Sequence, residues 1–438
     1  MLTTRFNHLD ATFLNIDRRP ETWSIHLEIR VSGHISTRRL SYALRAAIAR
    51  HPLARARSQY FEGSATEYLW EFPTELDHLP LTVLDAKSDE DVISIRNRFV
   101  SLQVPLTLAP CFMVYLVHHA QGDYVMLNLP HTLADGLSAF RLLQSIVNIY
   151  ADQPDPLPDI NPLDVRDLLA LAGSKSMAQL LERAKNLVGH LGKSAVPPAR
   201  VAPQGVAPGD GNKRPGYGVE LMALSKTDSE LFLSKRTKPA TANDLMLAAV
   251  ALTIRQWNDE QAQPAGRIAM LMPVNLRPQA WWHEIVGNYT SYVSVSLNTA
   301  DQTTLAHATQ KVCEQTTAFK EAGTAGTLID LLDVPKFLPA FLKAQLKELF
   351  PLFGKSLMET TWISNLGKLN RLPSMGDAGQ VTALHFTPPA PMPCSLSAGI
   401  AYVDDQLMIG LRYRKSQFDA KAIKRFSEML KANLISPC

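Results

Sequence analysis

Tyr124-Val-Met-Leu-Asn-Leu-Pro130-His131-Thr-Leu-Ala-Asp135-Gly136-Leu-Ser-Ala-Phe140 is the stretch whose reading decides the fold. It opens as an apolar run of strand type and breaks at Pro130. It then passes through a histidine, an aspartate and a glycine into an apolar segment whose spacing predicts a helix over 137–150. Histidine four residues before aspartate is a weak pattern, and the chain holds it twice, since His119-Ala-Gln-Gly-Asp123 matches equally well. Context separates the two. Residues 111–117 and 124–129 read as a hairpin-like pair of strands, and His119 and Asp123 fall in their connection, where polar side chains are expected to be solvated. His131 stands instead at the end of a buried strand, where side chains that do chemistry are often held. On the residues alone it is either a proton acceptor or a structural histidine with satisfied partners. An imidazole titrates near pH 6.5, so a neutral one can take a proton from a hydroxyl or an amine. A buried Asp135 needs a cation, and the candidate is Arg277 in Pro273-Val-Asn-Leu-Arg277, after the strand predicted at 268–273.

Working outward, residues 23–31 (WSIHLEIRV) alternate like a half-buried strand, and Ser36 or Thr37 can cap a helix that ends near His51-Pro52. A helical stretch is expected at 165–191. Residues 197–218 are dense in proline and glycine, with almost no large apolar side chains, and read as a mobile linker centred on 193–216. Beyond it the pattern predicts helices at 229–236, 243–258, 303–320, 335–353 and 419–434. Strands are predicted at 268–273, 289–297, 359–363, 380–386, 395–402 and 406–413. The expected organisation is therefore a first lobe at 1–192, a linker at 193–216 and a second lobe at 217–438, with a site in the crevice between the lobes.

The chain has 438 residues, 46% hydrophobic and 19% charged, which excludes global disorder and suits two halves. A net charge of +3 is too small to imply nucleic acid. Cys111, Cys313, Cys394 and Cys438 lie far apart and form no CxxC pair, so no zinc site or disulfide framework is expected. The glycines that a P-loop or a dinucleotide fold needs are missing, as are GxSxG and HExxH. The N-terminus lacks a secretory pattern, and no apolar run reaches the roughly 20 residues of a bilayer span. The expectation is a soluble cytoplasmic protein, with peripheral attachment to a membrane left open.

His131-Thr-Leu-Ala-Asp135-Gly136 resembles the HxxxDG signature of the chloramphenicol-acetyltransferase-like superfamily, which includes nonribosomal-peptide condensation domains, alcohol acyltransferases and wax ester synthase/diacylglycerol acyltransferases. The resemblance extends in order along the chain. Leu9-Asp10-Ala-Thr-Phe13-Leu14 with Glu21-Thr22, then Arg50-His51-Pro52-Leu53, then the segment from Val104 to Pro110 are each similar to family segments. So are Pro273-Val-Asn-Leu-Arg277 with Val286-Gly287-Asn288-Tyr289, and Ile363-Ser364-Asn365-Leu366-Gly367. Two departures stand out: Pro130 precedes His131 where many relatives carry a second histidine, and the 364–367 loop lacks the proline usual in wax ester enzymes.

The resemblance implies an α/β (α+β) fold of two similar lobes in a V with a tunnel between them. It implies transfer of an acyl group from an acyl thioester, carried by coenzyme A or by a phosphopantetheine-bearing acyl-carrier protein, to a hydroxyl. His131 would be the base, Asp135 a structural partner of Arg277, and Gly136 the residue permitting a tight strand-to-helix turn. Ser364 and Asn365 are the candidates for contacting the oxyanion or substrate. No metal, no permanently bound cofactor and no covalent acyl-enzyme are expected. The alternatives are an amide-forming condensation enzyme with a carrier-bound amine acceptor, and a non-catalytic binding protein of the same fold. Trp281-Trp282-His283 is read as packing on a neighbouring lobe rather than lining a tunnel or touching a membrane. The amphipathic stretch 335–353 is read as packing on its own lobe rather than lying on a membrane, and Arg412-Tyr413-Arg414-Lys415 as a solvated strand end rather than a phosphate contact.

Overall fold

The computed structural model describes residues 2–17, 21–59, 68–183, 185, 196–206, 215–282, 284–333 and 359–436. Two large sheets organise them. One has five strands, in the order Val381–Thr387, Ser24–Val31, Tyr124–Pro130, Met113–His119, Leu81–Ala86. The other has six, in the order Thr290–Leu297, Ile268–Asn275, Thr361–Lys368, Leu396–Val403, Gln406–Arg414, Tyr217–Ala223. A small three-stranded sheet joins Leu2–Arg5, Leu69–Phe72 and Arg57–Gln59.

In the five-stranded sheet, Ile25, Leu27, Leu127 and Leu129 share a core with Leu40 and Leu44 of the helix Thr37–Arg50 and with Phe140 and Leu143 of the helix Gly136–Tyr150. Ser36 caps the first of these helices by accepting from Arg39 N. Asp135 caps the second. Ser24–Val31 is not half-buried as its alternation suggested, because its second face is covered too. There Glu28 takes two hydrogen bonds, 2.6 and 2.7 Å, from Arg96 of the helix Asp89–Phe99, and His26 stands 3.0 Å from Glu28. Alternation reports polarity, and here a buried ion pair supplies the polar face.

The six-stranded sheet packs against the helices Ala242–Glu260, Leu305–Glu321 and Ala420–Ile435 through a second core. The sheets are not divided as the chain is. Val381–Thr387, from the second half, pairs antiparallel with Ser24–Val31 of the first. At its end, at Phe386, the main chain passes so close to the other sheet that a Cβ at Gly399 would lie 2.2 Å from the Phe386 carbonyl oxygen, and one at Gly410 2.5 Å. Only glycine fits at this register pair.

Three further expectations are corrected. The helical stretch at 165–191 is broken: a short helix, Leu168–Ala172, ends at Gly173, and helix resumes at 177–183. Within the proposed mobile linker, residues 196–206 lie on the second half. Val201 and Ala202 are buried, Ala199 N donates to Arg267 O at 2.8 Å, and the Trp257 indole donates to Ala202 O at 3.0 Å. A segment without large side chains is ordered here by main-chain hydrogen bonds to its host. Arg412 and Arg414 are not a solvated strand end. Arg412 is fully buried and donates to Ser24 O at 2.6 Å and Thr22 Oγ1 at 2.8 Å, and Arg414 meets Glu21 at 2.8 Å, which ties the two halves together. The strand Tyr217–Ala223 starts at the first residue of the expected second lobe.

Trp281 packs edge-on against Tyr289 in a core with Leu9 and Phe13, while Trp282 is exposed. Stretch 335–353 and His283 lie outside the described residues. Cys111, Cys313 and Cys394 are buried and free, and no described helix is long and apolar enough to cross a membrane.

Candidate active site

The motif loop leaves the five-stranded sheet at Pro130 and enters the helix Gly136–Tyr150. His131 N donates to Trp23 O at 2.7 Å, which continues the sheet by one residue. The imidazole stacks on Phe13 with ring centroids 4.0 Å apart, and its Nε2 lies 2.9 Å from the Tyr292 hydroxyl. Nδ1 is buried and has no hydrogen-bond partner among the side chains and main chain of the described residues. Burial lowers the His131 pKa to about 4, against the residue's own main-chain carbonyl and the Asp135 carboxylate, which both favour the charged ring. The ring is thus neutral at neutral pH. Burial, with Asp135 adding, drives the Tyr292 phenol well above its ordinary value, so the phenol is the donor and Nε2 the acceptor.

Asp135 does not face His131. Its Oδ2 accepts from Arg277 Nη1 at 2.8 Å and from Tyr289 N at 2.9 Å, and its Oδ1 from Arg277 Nη2 and from Ser138 N, both at 3.0 Å. Burial alone would raise this carboxyl; the Arg277 charge, its hydrogen bonds and the two main-chain N–H groups outweigh that and hold it below the carboxylate range. Arg277 also donates to Ser138 Oγ at 2.7 Å and covers the Tyr289 ring at 4.5 Å. Asn288 Nδ2 donates to His131 O at 2.8 Å, and Ser138 Oγ to Gly287 O at 2.6 Å. Residues 277 and 287–289 of the second half therefore clamp the loop that carries the histidine.

Between the halves lies a pocket walled by His131, Tyr292, Leu271, Trp362, Leu366 and Phe386. Asn275, Thr290, Ser364 and Asn365 line it as well, so apolar walls carry a few polar groups beside the imidazole. Gly136 lines this pocket too. Its φ is not in the left-handed region, so the turn itself does not demand glycine. What demands it is space, since a Cβ would lie 2.7 Å from Leu366 Cδ2 and 3.1 Å from Phe386 Cζ.

Ser364 and Asn365 both border the pocket. The Asn365 amide is partly engaged, with Oδ1 accepting from Gly367 N at 2.8 Å and one Nδ2–H donating to Asn243 at 3.2 Å. Reasoning from sequence missed Tyr292, Phe13 as a stacking partner, and Trp362, whose buried indole N–H has no partner among the described residues. Period-two alternation from Thr290, which also lines the pocket, was the available signal for Tyr292.

Residues 12–336 match the condensation-domain family model. Over 441 aligned residues, 99% of each chain, the protein is 35% identical to an uncharacterised protein of Mycobacterium tuberculosis. Its fold is similar to the trichothecene 15-O-acetyltransferase of Fusarium sporotrichioides (TM-score 0.71, 10% identity, 99% of this chain and 95% of that one). It is also similar to the epimerization domain of the third module of tyrocidine synthetase B (0.67, 17%, 99% and 97%). A third similar fold is the wax ester synthase/diacylglycerol acyltransferase of Marinobacter aquaeolei (0.62, 15%, 98% and 98%).

Proposed function

The chain belongs to the condensation-domain family, in the chloramphenicol-acetyltransferase-like superfamily, and from that premise we propose that it is an acyltransferase carrying an acyl group from a thioester to a hydroxyl, with His131 as general base. The observation that carries this reading is the neutral imidazole of His131, a residue that lines the pocket at the junction of the halves.

The acceptor O–H gives its proton to Nε2 as its oxygen attacks the thioester carbon. The tetrahedral intermediate then expels the thiolate, which takes the proton back from the imidazolium. Asp135 and Arg277 neutralise one another and hold the loop; with its four acceptor positions filled, Asp135 relays no proton. The oxyanion requires a donor. Ser364 Oγ and Trp362 Nε1–H, both in residues that line the pocket, are assigned that part, and Asn365 keeps one Nδ2–H beyond the bond to Asn243 and stays a candidate beside them. The donor is acyl-CoA or an acyl-phosphopantetheine on a carrier protein.

Thiol release from acyl-CoA and acyl-carrier donors, followed with alcohol and amine acceptors, tests the reading. His131→Ala is expected to lose about 10³-fold in turnover while melting as the wild type does. Unchanged turnover in that variant overturns the mechanism. Turnover with amines and not alcohols replaces it with the amide-forming reading that the condensation-domain match favours.

A further inference from the structure

An acyltransferase that keeps a base beside a thioester also risks delivering water to that thioester. In this site the base is already engaged before any acceptor arrives. The Tyr292 hydroxyl lies 2.9 Å from His131 Nε2, and both residues line the pocket. His131 cannot turn to another partner, because its ring is stacked on Phe13 and its carbonyl is held by Asn288 Nδ2 at 2.8 Å. Tyr292 is fixed as well: its strand is paired along its length with Ile268–Asn275, and its ring packs at 6.2 Å from both Phe13 and Trp362.

We propose that Tyr292 caps the catalytic base against water. Its phenol holds the Nε2 lone pair until an acceptor binds, and yields it to an acceptor hydroxyl that brings apolar surface of its own.

The inference rests on the acyl-transfer reading and deepens it. A water molecule entering alone exchanges one hydrogen bond for another at Nε2 and brings no apolar surface to bury. An acceptor with an apolar chain makes the same exchange and also buries that chain against Leu271, Leu366 and Phe386. The difference selects an apolar alcohol over water without any contact specific to the alcohol. No covalent step is added, because the phenol keeps its proton throughout. The groups facing the imidazole are the Tyr292 hydroxyl, the Phe13 face and, through space, the Asp135 carboxylate held by Arg277.

Tyr292→Phe keeps the ring and removes only the cap. Two measurements on the full chain test it. In the first, thiol release from acyl-CoA probes running from acetyl to palmitoyl is followed with and without 1-hexanol. The ratio of hydrolysis to ester formation is expected to rise about fivefold or more, the weight of one hydrogen bond. An unchanged ratio overturns the proposal, whether both rates are unaffected or fall together, since a merely structural tyrosine would do that. In the second, nitrogen-15 spectra of His131 are titrated with pH. The variant is expected to move the Nε2 resonance and to raise the His131 pKa toward its ordinary value as water reaches the ring. A resonance and titration identical to wild type overturn the proposal independently of any substrate. If the spectra change as expected while neither protein releases thiol, the cap stands and the acyl-transfer reading is what fails.

Discussion

His131 and Asp135 stand at the same spacing as His119 and Asp123, and in both pairs the carboxylate is buried to within 1%. What surrounds the two carboxylates differs. Asp123 accepts from Ile35 N at 2.7 Å, His119 N at 3.0 Å and His118 Nδ1 at 2.7 Å, with His34 Nδ1 at 3.3 Å. Every one of these partners belongs to the first half, and together they staple a turn, so this aspartate is not the solvated turn residue that its hairpin position suggested. Asp135 draws its cation and one main-chain N–H from residues 277 and 289 of the second half. One carboxylate closes a local turn; the other fastens two halves around a pocket. Spacing does not tell them apart, because the distinguishing partners lie more than a hundred residues away.

The largest effect that should separate the pairs is on turnover. His119→Ala is expected to stay within about twofold of wild type, where His131→Ala loses about 10³-fold. Equal effects at both positions would erase the distinction.

Stability comes next. Asp135→Ala and Arg277→Ala each leave a buried charge without its partner and should cost about 3–5 kcal/mol by chemical denaturation. The double variant should cost less than their sum. Asp123→Ala should cost about 1–3 kcal/mol for its stranded N–H groups, with the kcat of the folded fraction untouched. Additivity of Asp135 and Arg277 would mean that the ion pair is not what joins the halves.

The pH response sharpens the contrast further. With the His131 pKa near 4, kcat/KM should hold its level down to about pH 5 and fall near pH 4, rather than near 6.5. Between those values the unfolded ring binds more protons than the folded one. Stability is therefore lost as pH falls through that window, by roughly 3 kcal/mol in all, and His131→Gln should flatten the slope. Asp135, with its carboxyl held low, contributes stability that is present above the ordinary carboxylate value and is lost only as pH falls through its lowered one.

The smallest effect concerns the residue after each aspartate. Gly136 opens on the pocket, whereas Tyr124 fills a core beside Phe99 and Tyr115. Gly136→Ala should slow long-chain donors by a few fold through the Leu366 and Phe386 contacts, at about 1 kcal/mol or less of stability, since a flexible side chain can yield. A uniform loss with donors of every length would instead place the glycine's role in the turn.

Much of the fold was legible because its signals are local. The apolar period at Gly136–Tyr150, the Ser36 cap and the strand Tyr124–Pro130 each depend on residues a few positions apart. The Asp135–Arg277 pair was legible because a buried carboxylate demands a cation and few arginines follow a strand so closely. Ser364 was placed at the pocket, while the engagement of the Asn365 amide could not be seen, because Asn243 lies in another element. Tyr292 was invisible as a partner of His131 for the same reason.

The sequence by itself determined the elements, the motif loop and the chemistry of its side chains, since rotational period, capping and acid–base character belong to a residue and its near neighbours. The tertiary structure alone decided that Val381–Thr387 crosses to the other half's sheet, that Arg412 is buried against Ser24 and Thr22, and that Tyr292 meets Nε2. Those contacts are settled by which distant surfaces bury one another, and burial then makes each polar group take whatever partner the fold brings within reach.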